Sequence, residues 1–319
     1  MLNVYRFDHV CQVVPELGAQ LELLEGLFGF RRRGGRQDTE EGCRGVVLDV
    51  PGSWGHRWEV LEPRGEDSLY QAFLDSPQGP GIHHVALEVP DMEAALRALD
   101  QLGVGADRRT VGPGGRWVDF PFVPPKRESG LAVRLFGPGR PSGCADGGEP
   151  WDGPAVEVDP GAPRLGIVAI EQVGHGYWDR DELVPWCEKA LGMHEVYRTP
   201  EGKHPDIATL VLTLPGTHVR WEIIAPVDEE SFVQRFLDKR SAAAHHVTFE
   251  VADWEAALAA CEHHEVPTLD VNEGTTDGGA WRDTFIHPKF AGGFLVQIFW
   301  EERPGAWSRS DKVPPRAGG

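Results

Sequence analysis

Basic residues are scarce in this chain of 319 residues: 31 Lys and Arg stand against 50 Asp and Glu, a formal net charge of −19 with His neutral. Binding a phosphate backbone needs clustered cations, so this deficit argues against nucleic acid as a partner. An acidic surface favours solubility and suits a small-molecule enzyme or capture of a cationic ligand. Cysteine is sparse too. The five (Cys11, Cys43, Cys144, Cys187 and Cys261) are odd in number, scattered and without a CxxC pair, so neither a thiolate zinc site nor a disulfide framework is indicated. No apolar run approaches the ~20 residues of a membrane-crossing helix. The opening MLNVYRFDHV has no basic segment leading into an apolar stretch, so no secretory signal is visible. The expected setting is a reducing cytoplasm, with no membrane partner. The glycines of VGPGGRW and EGTTDGG follow no phosphate-loop pattern, so no nucleotide site is expected.

What is present is repetition. WEVLEPRGEDSLYQAFLD from Trp58 returns as WEIIAPVDEESFVQRFLD from Trp221; IHHVALEVPDMEAAL returns as AHHVTFEVADWEAAL; PPKRESGLAVRL returns as HPKFAGGFLVQI. The offsets are 162 or 163 throughout, which marks a duplication. A weaker repeat of 74–75 residues lies inside each half, relating FDHVCQVVPEL to IHHVALEVPDM and EQVGHGYWDRD to HHVTFEVADWE. The chain therefore divides into four modules that start near residues 5, 82, 168 and 244. Residues 1–138 and 165–302 form two domains, joined by a Gly/Pro-rich linker over 139–164 and followed by a polar tail, 303–319, expected to be disordered.

Each module opens with a strand. In HHVALEV, Val85, Leu87 and Val89 face one way and His84, Ala86 and Glu88 the other; Val247, Phe249 and Val251 alternate likewise with His246, Thr248 and Glu250. A helix follows, with Asp91 or Asp253 as N-cap and Ala95, Leu96, Leu99 and Leu102 as its apolar stripe, ending near Gly103. Strand-like runs such as RGVVLDV, RWEVLEP and LAVRLF complete an α+β module of strand, helix and about three strands.

The repeat aligns chemistry as well as pattern. First strands place His9, His84, Gln172 and His246 at one position, and last strands place Glu59, Arg134, Glu222 and Gln297 at another, 50 or 51 residues later. Imidazole and carboxylate ligate Zn, Ni, Co, Mn or Fe, and an amide oxygen does so more weakly. A guanidinium cannot ligate; Arg134 can pair with Glu59 or anchor a substrate carboxylate or phosphate. Glu59 or Glu222, if not ligating, can serve as base, as can Glu88 or Glu250. Trp54, Trp117 and Trp281 suit an aromatic or cationic ligand, although core packing explains them as well. His175 faces the apolar side and reads as structural; His263 and His264 read as surface residues, and Lys126 and Lys289 as turn residues able to steady an anion.

Taken together, GIHHVALEVPDMEAALRAL and HPKFAGGFLVQIF resemble the second module of a methylmalonyl-CoA epimerase. Residues 4–136 and 167–301 resemble the vicinal oxygen chelate superfamily, which also includes glyoxalase I, extradiol dioxygenases and bleomycin-resistance-type binders. The resemblance implies two tandem domains of paired βαβββ modules, each a curved mixed sheet around a site with a divalent metal. It puts His9, Glu59 and His84 on ligand positions in the first half and Gln172, Glu222 and His246 in the second. Arg134 and Gln297 replace the usual final-strand Glu. If each half closes on itself, the sites are His9/Glu59/His84/Arg134 and Gln172/Glu222/His246/Gln297. If modules are exchanged, one becomes His9/Glu59/His246/Gln297 and the other Gln172/Glu222/His84/Arg134. The implied activity is a metal-dependent lyase or isomerase acting on a small carbonyl compound. An iron-dependent extradiol-type dioxygenase and a non-catalytic binder of a small molecule such as an antibiotic are the alternatives. A homodimer is compatible with each.

Overall fold

The computed structural model describes residues 1–52, 55–65, 67–139, 148–200, 202, 204, 206–276 and 278–303. Cys144, Trp54 and the tail beyond residue 303 lie outside the described residues. The first half runs β1 (Arg6–Val13), α1 (Leu17–Gly26), β2 (Arg31–Asp38), β3 (Cys43–Asp49), β4 (Arg57–Pro63) and α2 (Leu69–Leu74), then β5 (Gly81–Glu88), α3 (Met92–Gln101), β6 (Thr110–Val111), β7 (Trp117–Pro121) and β8 (Ala132–Phe136). A short β9 (Glu149–Pro150) follows. The second half repeats the plan as β10 (Ile167–Gly176), α4 (Arg180–Leu191), β11 (His194–Arg198), β12 (Ile207–Thr213), β13 (Arg220–Pro226) and α5 (Phe232–Arg240), then β14 (Ala243–Val251), α6 (Trp254–His263), β15 (Thr268–Thr276), β16 (Gly279–Ile286) and β17 (Leu295–Glu301).

The expected α+β class holds: two mixed sheets, ordered β6-β7-β8-β5-β1-β4-β3-β2-β9 and β11-β12-β13-β10-β14-β17-β16-β15. In each, the opening strands of two modules pair antiparallel at the centre, β1 with β5 and β10 with β14. Each opening strand also pairs in parallel with its own module's last strand: β1 with β4, β5 with β8, β10 with β13 and β14 with β17. Each half therefore closes on itself, and the exchanged arrangement is not formed. Caps follow the sequence: Asp91 accepts from the Ala94 amide, and Asp253 from that of Ala256. Described residues of the segment between the halves contact the first sheet. β9 adds to the edge strand β2, and Arg32 donates to the carbonyls of Asp152 and Pro154. His264 lies at a helix end, with Nε2 2.9 Å from the Pro163 carbonyl.

The apolar faces of the two sheets share one core. Phe249 packs on Phe28, Phe30 and Trp58, with centroids 5.5–5.8 Å apart, and Phe122 packs on Trp221 at 4.4 Å. His56 stacks on His218 across the halves at 4.9 Å. His175 belongs to this core, as its position on β10 predicts. It is fully buried against Phe122, Tyr177 and Trp221, and neither ring nitrogen has a hydrogen-bond partner among the described residues.

Burial pushes the His175 pKa down to about 3 and, with a smaller effect from His218, that of His56 to about 3. The unfolded chain then binds protons below about pH 6.5 that the folded chain refuses, so stability falls as pH drops from about 6.5 toward 3. Replacing His175 with Leu is expected to remove one proton's share of that dependence, at most ~1.4 kcal/mol per pH unit. Denaturant titrations of both proteins between pH 4 and 7 measure it; parallel slopes would count against a neutral His175.

Candidate functional site

Side chains on the other face of each sheet line a cup. In the first sheet, β1 contributes His9 and Cys11, β4 Glu59, β5 His84 and β8 Arg134, all buried. Cys11 is the register partner of both Glu59 and His84, which centres the group on the β1–β5 pairing. His9 Nε2 lies 3.4 Å from Glu59 Oε2, and His84 Nε2 lies 4.0 Å from the same oxygen. Neither Nε2 has a hydrogen-bond partner among the described residues. His9 Nδ1 sits 2.8 Å from Asp8 Oδ2, and Asp8 is further held by Arg6 and Arg57. Burial disfavours a charged His9, but Asp8 and Glu59 outweigh it and hold its pKa above the ordinary value. His84 moves the other way: burial, reinforced by Arg134, His83 and His9, drives it well below.

Arg134 is fully buried, and its guanidinium is met bidentately by Asp119, Nε to Oδ1 at 2.7 Å and a terminal nitrogen to Oδ2 at 2.8 Å. It also donates to the Tyr70 hydroxyl at 3.3 Å and lies 3.6 Å above the Trp117 ring. Tyr70 and Trp117 in turn donate to the two carboxylate oxygens of Glu41, each at 2.9 Å. The fourth ligand position is thus occupied by an internally neutralised ion pair, consistent with the cost of burying a lone guanidinium. Arg134 also lines a cavity of about 340 Å³ with Tyr70, Phe73, His83, Trp117 and Asp119. Glu88 is engaged by Arg6 at 2.5 Å.

The second cup is arranged differently. His246 Nε2 approaches Glu222 Oε2 to 2.8 Å, and Gln172 donates to the same oxygen at 3.2 Å. Gln297 is tied at both ends: its Oε1 accepts from Thr248 at 2.6 Å, and its Nε2 donates to Asp283 at 2.8 Å. Gly174 takes the place of Cys11, and a Cβ there would come within 2.2 Å of the His246 ring. The ring leans over that glycine to reach Glu222.

These contacts decide which half suits a cation. Bonds of ~2.0–2.2 Å put ligand atoms roughly 3–3.5 Å apart, so 3.4 and 4.0 Å need only small adjustment. His9, Glu59 and His84 form one of two groups of three imidazole, thiol or carboxylate donors within 4.8 Å of one another among the described residues; the other, His83, His84 and Asp119, overlaps it. The first cup therefore fits a divalent cation. In the second, His246 Nε2 likewise has no hydrogen-bond partner among the described residues, but one imidazole and one carboxylate meet there, with the weaker amides Gln172 and Gln297 at the other two aligned positions.

Several residues here were not singled out from sequence. Asp119 and Asp283 follow Trp117 and Trp281 in the repeated GRWVDF and GAWRDTF, and each bonds the side chain at the fourth position. That repeat was the available signal. His83 and His245 escaped because strict alternation sends them to the apolar face. Each opposing strand skips them: Cys11 pairs with His84 and Gln12 with Ile82, while Gly174 pairs with His246 and His175 with Ala244. The resulting β-bulges turn both imidazoles into the cups, against Tyr70 and Phe73 in one and Phe232 and Phe236 in the other.

Removing one member of the buried Arg134–Asp119 pair is expected to be costly. Asp119→Asn should lower unfolding free energy by ~3–5 kcal/mol. The double replacement Asp119→Leu with Arg134→Met should cost less, because no charge is stranded. Chemical denaturation of the two variants checks the order, and the reverse order would contradict the pairing energetics.

Comparison with known proteins agrees with this architecture. The family model described as glyoxalase/bleomycin resistance protein/dioxygenase superfamily matches residues 8–118 and again 171–283. Ethylmalonyl-CoA/methylmalonyl-CoA epimerase of Cereibacter sphaeroides is 29% identical over 133 residues, 41% of this chain and 96% of that protein. 4-Hydroxyphenylpyruvate dioxygenase of Hordeum vulgare is 33% identical over 128 residues, 38% of this chain and 26% of that one. Over nearly the full length, the structure of a mutant 4-hydroxymandelate synthase from Streptomyces coelicolor superposes with a TM-score of 0.70 at 13% identity, covering 94% of this chain and 93% of that one, a likeness of fold. With two matched regions and two self-closed cups, the chain belongs to the glyoxalase/bleomycin resistance protein/dioxygenase superfamily, the vicinal oxygen chelate fold in tandem.

Proposed function

We propose that the protein is a metal-dependent enzyme of the isomerase or lyase type that moves a proton beside a carbonyl of a small substrate, using the first cup. The observation that carries this reading is the meeting of two buried imidazole nitrogens, His9 Nε2 and His84 Nε2, with the Glu59 carboxylate. His9, His84 and Glu59 would hold the ion, whose chemistry when bound is Lewis acidity toward a carbonyl oxygen. Asp8 accepts the Nδ1 proton of His9, so Nε2 is the atom this ring would turn to the ion on losing its second proton. Glu59 is the carboxylate placed to take a proton if it does not ligate, and Glu222 has that role in the second cup. The adjoining cavity, about 340 Å³, is of small-molecule size. Arg134, already paired with Asp119, lines the wall with the aromatic rings of Tyr70, Phe73 and Trp117, which exclude water. Sequence likeness to an epimerase supports the reaction type. A second reading, an iron-dependent oxygenase, is favoured by the donor set itself, since two histidines and one carboxylate with open positions characterise non-haem iron oxygenases.

Purified protein is expected to take up close to one equivalent of Co, Ni, Zn, Mn or Fe, measured by elemental analysis after dialysis. His84→Ala should reduce uptake at least tenfold, whereas His246→Ala should leave it nearly unchanged. Loaded protein should then exchange the C–H proton of a 2-substituted malonyl thioester with solvent deuterium. Absence of stoichiometric uptake of any of these ions would sink the metal reading. Oxygen consumption by the Fe(II) form with an aromatic 2-oxo acid, without exchange, would transfer the assignment to the oxygenase.

A further inference from the structure

The same bulge occurs in both halves, and it does one thing in each. It brings a second histidine edge to edge with the first: His83 Nδ1 lies 2.8 Å from His84 Nδ1, and His245 Nδ1 lies 3.1 Å from His246 Nδ1. The rings stand nearly perpendicular, at 85° and 89°. Two imidazole nitrogens at such a distance share one proton, so one ring donates and the other accepts. The surroundings of the first pair decide which. If His83 donated, His84 would carry its proton on Nε2, which has no hydrogen-bond partner among the described residues. A buried N–H without an acceptor costs ~1–3 kcal/mol. If His84 donates from Nδ1, its Nε2 becomes a lone pair directed at the same place as His9 Nε2, which a cation satisfies.

We propose that His83 is a positioning residue that fixes the tautomer of His84 and joins the cavity to the metal-ligating group. It accepts the Nδ1 proton of His84, so His84 presents Nε2 unprotonated. With Nδ1 so engaged, the proton of His83 resides on Nε2, the one polar atom it has left for an occupant of the cavity it lines. The cavity therefore selects a ligand with an oxygen acceptor, a carboxylate or carbonyl, at that wall. Tyr70 and Phe73 hold the ring, with centroids 5.4 and 4.9 Å away. The choice of donor rests on the metal reading, because an empty site leaves His84 Nε2 without a partner in either tautomer; the close contact of the two rings stands on the geometry alone.

Two measurements test it separately. Long-range ¹⁵N–¹H correlation spectra of the Zn(II)-loaded protein should show His84 as the Nδ1–H tautomer and His83 as the Nε2–H tautomer; the opposite assignment overturns the proposal. Chelator competition with Co(II) should show His83→Phe binding 10–100-fold more weakly than the unmodified chain, as loss of a ligand's hydrogen-bond partner does. His83→Gln, whose side-chain oxygen can accept the same proton, should recover most of that loss. Unchanged affinity in His83→Phe, or equal loss in both variants with Tm preserved, overturns it. If the unmodified chain takes up no metal, the metal reading fails and the choice of donor with it, while a metal-free spectrum with one proton shared between the two Nδ1 atoms keeps the hydrogen bond. If His83→Phe does not fold, the spectrum of the unmodified chain and the His83→Gln affinity still decide.

Discussion

The candidate site depends first on the hydrogen-bonded pairing of β1 with β5 and of β10 with β14. These strands lie in the middle of buried sheets, where an amide that loses its ladder partner has no water to replace it. Their register is therefore stiff, and side chains project from it with period two. Once Cys11 sits opposite His84, and Gly174 opposite His246, the ligating positions of two modules meet in one cup. Were the opening strands to pair across the halves, the same residues would form other sets. The shared apolar core reinforces the arrangement from behind, since Trp58 and Trp221 on the last strands pack into aromatic clusters that bridge the halves.

One small difference at the centre of that pairing separates the two cups. In the second, the absent side chain of Gly174 admits the His246 ring, which reaches Glu222 at 2.8 Å. In the first, Cys11 occupies the corresponding place, and His84 stops 4.0 Å from Glu59. On spacing alone both pairs lie close to the ~3–3.5 Å that separates metal ligands, and the first cup differs in adding a second imidazole, His9. The thiol of Cys11 stays protonated in this setting, because burial and the nearby Glu59 carboxylate push its pKa well up.

Much of the scaffold was legible because it is periodic. The 163-residue offset, the Asp91 and Asp253 caps and the alternation of Val85 and Leu87 are local, and local patterns survive in sequence. Strand pairing was not legible. Each half carries the same opening strand twice, so the closed and exchanged arrangements satisfy the same hydrophobic pattern equally well. Nor was the bulge, which adds one residue to a strand without altering its composition. His83 and His245 therefore read as core residues although they face the cups. The set His9, Glu59 and His84 could be named because three aligned positions bear ligating groups; the partner of Arg134 could not. The repeat puts Asp119 and Asp283 164 residues apart but Arg134 and Gln297 163 apart, so the same acid is a direct cross-strand partner in the first hairpin and a diagonal neighbour in the second.

That single-residue shift bears on why the fourth position changed. A carboxylate there would face Asp119 or Asp283 across the hairpin inside a buried face, and two like charges so close raise each other's pKa and cost stability. Arginine resolves the clash in the first half by pairing bidentately with Asp119, while Tyr70, Trp117 and Glu41 complete the arrangement. Glutamine resolves it in the second by donating to Asp283 and accepting from Thr248. In both halves the acid one strand over and the residue at the fourth position form one unit. The first solution keeps a charge-balanced ion pair at the cavity wall beside a three-donor group, and the second yields an amide–carboxylate hydrogen-bonded network. Among the described residues, a group of three ligating donors and a cavity of small-molecule size thus adjoin in the first half.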